Sequence, residues 1–101
     1  MRYFAVESTF RQPVPVSAEE LQRLVREHHR YLARGFAEGW ILLSGPKAAG
    51  GGGVIVMRAD TPAEVEEYLA ADPMKVAGVQ DYHPIEFKLH DCQPAVRPWF
   101  A

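Results

Sequence analysis

The chain has 101 residues, 48% of them hydrophobic, and a formal net charge of −2. That length suits one domain with a packed core of its own, and the charge gives none of the basic patch by which nucleic acid is held. No apolar run approaches the roughly 20 residues that cross a bilayer, the opening MRYFAVESTF is too polar at its end for a secretory signal, and the single Cys92 builds no disulfide framework, so a soluble, cytoplasmic protein is predicted.

Taken in order, RYFAVES (2–8) reads as a strand, rich in aromatic and β-branched types. The prolines of FRQPVPV interrupt regular structure before Ser17, which with Glu20 spells a capping box for a helix running to about Glu38 and closed by Gly39. Leu21, Leu24, Val25, His28, Leu32, Gly35 and Phe36 recur at three- and four-residue spacing, so they form its inward stripe. His28 therefore stands where an apolar residue is expected, and His29 is turned roughly 100° away toward the charged face. WILLSG (40–45) is the second strand, 46–52 a glycine-rich loop, and GVIVMR (53–58) the third strand. Thr61, Pro62 and Glu64 open a second helix over about 62–71 with Val65, Tyr68 and Leu69 inward, and the same spacing continued reaches Asp72. Pro73 turns Asp72 out of helical geometry, with one short turn to follow. YHPIEFKLH (82–90) alternates as a half-covered strand, and Pro84 within it suits a sheet edge. The remainder, 91–101, is irregular and carries Trp99 and Phe100, a pair expected to pack on this subunit or on a partner's.

The order β-α-β-β-α-β predicts a ferredoxin-like α+β domain over 1–90, with an antiparallel sheet and both helices on one face. The second and third strands are apolar on both sides: Trp40 and Leu42 against Ile41 and Leu43, Val54 and Val56 against Ile55 and Met57. A sheet with two apolar faces and helices for only one is expected to dimerise sheet on sheet.

A buried imidazole must find a hydrogen-bond partner. Asp72 is one candidate: it would fix the tautomer of His28 and make the pair a general base or acid. The plainer alternative is a core histidine bonded to backbone, with Asp72 capping the turn begun by Pro73. Tyr3, Tyr31 and Tyr68 are either walls of a pocket beside His28 or ordinary core and rim. The run GPKAAGGGG lacks the Lys-Ser/Thr of a phosphate loop and leads into a strand, so a hairpin is expected there. His28, His29, His83, His90, Asp91 and Cys92 could ligate a metal, yet show no ligand spacing, so no metal and no cofactor is assigned.

The stretches around His28 with Tyr31-Leu32, then Glu38 to Pro46 (EGWILLSGP), Thr61 to Val65 (TPAEV), and Asp72-Pro73-Met74 with Ala77-Gly78, resemble the YciI-like (YCII-related) family of the dimeric α+β barrel superfamily. The resemblance spans most of 21–90. It implies an active-site dyad of His28 and Asp72 in a cleft, to which Ser44, Pro73 and Met74 from the matched stretches add pocket candidates. Met74 stands where the family often has an aromatic, His29 where it often has an apolar residue, and the 91–101 tail has no counterpart in the pattern. What the resemblance implies is a homodimeric small-molecule enzyme, a cofactor-independent lyase or isomerase that moves a proton on an aromatic-derived or carbonyl compound. The alternative is a non-catalytic ligand-binding or assembly module on the same barrel.

Overall fold

A computed structural model describes all 101 residues. The strands are β1 (Arg2–Phe10), β2 (Ile41–Pro46), β3 (Gly52–Ala59) and β4 (Gln80–Phe87), and the helices α1 (Ala18–Ala37), α2 (Pro62–Ala70) and the one-turn α3 (Pro73–Val76). All pairings are antiparallel, in the order β2-β3-β1-β4. This is the ferredoxin-like α+β topology, and Pro84 lies on an edge strand as expected.

Phe4 and Val6 of β1 pair across to Met57 and Ile55 of β3, and these four meet Leu32, Val65 and Leu69 under the helices. A smaller cluster of Leu24, Met74 and Val79 closes the end near α3. Ser17 caps α1 by accepting the Glu20 N–H at 3.1 Å, but the Glu20 carboxylate turns outward to Arg23, so only half of the predicted box forms. Thr61 likewise accepts the Glu64 N–H at 3.2 Å. At the far end of α1 the inward position is Gly35, buried against Ile41, while Phe36 lies around the helix and is exposed, contrary to its predicted place on the stripe.

The other differences have local causes. The final strand starts at Gln80, opposite Phe10, and stops at Phe87, opposite Tyr3, because β1 has almost no residues left to pair with Lys88–His90. A bulge between Ile41 and Leu43 inserts one extra residue in β2: Ile41 opposes Met57, whereas Leu43 opposes Val56. Leu43 is thereby moved off the side of Ile41, to the face that no helix covers. The tail is regular, a 3₁₀ helix over Pro94–Phe100. It packs on its own subunit, where the Tyr3 hydroxyl donates to the Phe100 carbonyl at 2.8 Å and the Trp99 indole donates to the Gly39 carbonyl at 3.0 Å. Arg58 donates to the Trp99 carbonyl and stacks under its ring, 4.8 Å from the centroid.

Candidate active site

His28 and Asp72 are brought together, with Nδ1 2.5 Å from Oδ2. Side chains 44 positions apart meet because α1 and the α2–α3 corner lie side by side on the sheet. Asp72 is 1% exposed, and its two oxygens do different work. Oδ1 accepts the Met74 N–H at 2.8 Å and so caps α3. Oδ2 accepts the Tyr82 hydroxyl at 2.5 Å and faces His28. Gln80 supports the arrangement by donating from Nε2 to the Tyr82 oxygen at 2.9 Å. Asp72 thus caps α3 and meets His28 at the same time.

The buried Asp72 carboxyl has every side accounted for: the Met74 N–H and the Tyr82 hydroxyl donate to it, and His28 Nδ1 faces it. Burial, and then the Asp72 charge beside it, hold the Tyr82 hydroxyl far above the ordinary phenol range, so it stays a donor. Nδ1 of His28 is engaged with Asp72, which leaves Nε2 as the ring nitrogen without a hydrogen-bond partner on the protein. No buried side-chain nitrogen or oxygen lacks a partner. Nε2 has no protein partner, so it reaches solvent, in keeping with a His28 side chain 17% exposed.

His28 lines a cavity of about 370 Å³ between α1 and the β2–β3 hairpin. Ser8, Leu32, Ser44, Met74 and Gln80 are among its walls. The glycine run forms its far side, through Gly45, Gly52 and Gly53. Gly52 (φ +147°) has no room for a Cβ, which would fall 2.0 Å from the Ser8 carbonyl oxygen. Hence glycine is required where the hairpin passes this close to β1.

Of the pocket candidates, Ser44 and Met74 line this cavity, and Pro73 opens α3 behind it. Tyr31 and Tyr68 do not line it. They stack on each other at 4.7 Å and line a second cavity of about 480 Å³ with Trp40 and Arg34. Tyr3 is on the opposite sheet face, against Trp99 and Phe100. His29 departs from expectation in the other direction. Its ring leans to within 5.8 Å of the His28 ring and lines the same cavity, because imidazoles on successive helical residues can converge over the groove between them. No three of the His, Cys, Asp or Glu side chains come close enough together to hold a metal ion. Tyr82 escaped the sequence reading because alternation along the last strand does not say which set faces the helices, and Gln80 because it lies before the predicted strand over 82–90.

Topology and geometry together define an α+β domain with a buried carboxylate–imidazole pair opening on a cavity. The chain belongs to the YCII-related domain family, whose model matches residues 2–88. No curated protein sequence matches it. Among solved structures, it is similar to 5-chloro-2-hydroxyhydroquinone dehydrochlorinase from Burkholderia phenoliruptrix AC1100 in complex with 2,5-dihydroxybenzoquinone, with a TM-score of 0.60 and 20% identity over 86% of this chain and 92% of that one. It is also similar to muconolactone isomerase, with a TM-score of 0.74 and 16% identity over 91% of this chain and 94% of that one. At such identities the likeness establishes the fold.

Proposed function

We propose that this protein is a small-molecule enzyme whose His28–Asp72 pair moves a proton in a lyase or isomerase reaction requiring no cofactor. One observation carries the proposal: Asp72, bound by Tyr82 and the Met74 N–H, meets Nδ1 of His28, and His28 lines a ligand-sized cavity. Nε2 takes the proton from a carbon beside a carbonyl, and Asp72 stabilises the imidazolium that results. Returning the proton to another carbon gives an isomerase, and loss of a leaving group gives a lyase. The similar dehydrochlorinase and isomerase make 5-chloro-2-hydroxyhydroquinone and muconolactone the first compounds to offer.

His28→Ala is expected to lower turnover of an accepted compound at least about a hundredfold, with an unchanged circular dichroism spectrum. A fully active His28→Ala protein ends the proposal. Ligand binding that survives the substitution, with no turnover by the native protein, moves the assignment to a binding or assembly module.

The same proposal includes a homodimer formed through the uncovered sheet face. Leu43, Val56, Ala5 and Ile85 are in register across all four strands there, and Leu43 and Ile85 remain 49% and 52% exposed. A bare apolar row on a sheet is the usual mark of an interface. The free thiol of Cys92 suits a reducing cytoplasm.

A further inference from the structure

No aspartate, glutamate, lysine or arginine lines the cavity at His28; its titratable walls are His28 and His29 alone. The rings lie 5.8 Å apart between centroids and 44° out of parallel. They spring from successive positions of α1, whose side chains leave the helix roughly 100° apart. The rings lean together onto one cavity wall but stay 5.8 Å apart, so they meet different atoms of a ligand. His28 is tied down by Asp72, whereas His29 is exposed on the rim, where water can reach it.

Proton abstraction from carbon creates an anion, and the cavity holds no fixed cation to receive it. His28 becomes positive, but Asp72 already answers that charge. We propose that His29 is a second catalytic imidazole, which enters protonated and delivers a proton to a different atom of the anion that His28 generates. This rests on the function proposed above and adds a division of labour to it. In the first step a C–H bond conjugated to the carbonyl through a C=C breaks, its proton bonds to Nε2 of His28, and the electron pair moves through that C=C into the carbonyl to give a dienolate. In the second, the dienolate's electron pair takes a proton from His29 at a different carbon of the conjugated system, leaving His29 neutral. His28 then loses its acquired proton to water and His29 regains one from water, so nothing is consumed. The fitting substrate is a planar, enolisable carbonyl compound with no charge or a single negative one.

The test follows muconolactone in deuterium oxide by NMR, reading exchange at the donor carbon separately from product formation, for the native protein, His28→Ala, His29→Leu and His29→Gln. His28→Ala is expected to abolish both signals. Either His29 variant is expected to slow product formation about a hundredfold and exchange far less. Independently of turnover, His29→Leu is expected to weaken binding of 2,5-dihydroxybenzoquinone about tenfold through loss of a charge-assisted hydrogen bond. Exchange lost in His28→Ala, with product formation unchanged in His29→Leu, overturns the role of His29 and leaves the parent proposal standing. A native protein that neither exchanges nor converts muconolactone, and leaves 5-chloro-2-hydroxyhydroquinone unchanged as well, overturns both.

Discussion

Asp72 shows how much one side chain can decide. Its cap to α3 fixes where the backbone turns, and its other oxygen orients His28. The pairing was legible because helical spacing put both residues on inward faces of helices covering one sheet. Tyr82 was not legible, since a tyrosine in an alternating strand fits either face until the register with Ser8 is known. Its raised pKa has a consequence for stability. An unfolded tyrosine ionises near pH ~10, whereas Tyr82 in the fold stays protonated beyond that because it is buried beside Asp72. The stabilisation is therefore complete below about pH 10 and is lost as pH rises toward the folded value. Tyr82→Phe is expected to flatten the fall in urea-unfolding free energy between about pH 9 and pH 11, though Tyr68, also raised mainly by burial, leaves a residual slope. An unchanged slope would show that Tyr82 is not held protonated by the fold.

Among the elements, α1 carries the site, and its distance from the sheet is set by Gly35. A Cβ there would lie 2.6 Å from Cδ1 of Ile41 and 2.8 Å from the Tyr68 hydroxyl. Ile41 is buried in the main core, so it has little space to retreat into. Gly→Ala inside a helix ordinarily gains about 1 kcal/mol, whereas overpacking a core costs about 1–3 kcal/mol. The packing cost prevails here, and Gly35→Ala is expected to lower the denaturation midpoint; a raised midpoint would mean that α1 can lift from β2 freely. The caps at Ser17 and Thr61 were readable from sequence because their chemistry is local. Phe36 was misread because a periodic pattern does not show where the helix overhangs the sheet edge.

For the molecule as a whole, the two sheet faces have different fates. One is filled by α1 and α2. The other is covered at one end by the tail, over the row Arg58, Tyr3 and Phe87, while the next row, Leu43 to Ile85, stays bare. Ile85→Asp, at a position already half exposed, is expected to shift the protein from dimer to monomer in sedimentation velocity without loss of secondary structure. A native protein that sediments as a monomer would refute the interface. Strand composition announced the two-sided sheet, but the tail's own surface could not be foreseen, because a hydrogen bond such as Trp99 to the Gly39 carbonyl has no periodic signature. The bulge in β2 ties both faces together. By absorbing one residue it points Ser44 into the cavity and Leu43 to the rear. An insertion or deletion in that short strand would therefore exchange a hydroxyl for an alkyl group beside the imidazoles and do the reverse at the back of the sheet, so the cavity wall and the rear face would drift together through a single change in chain length.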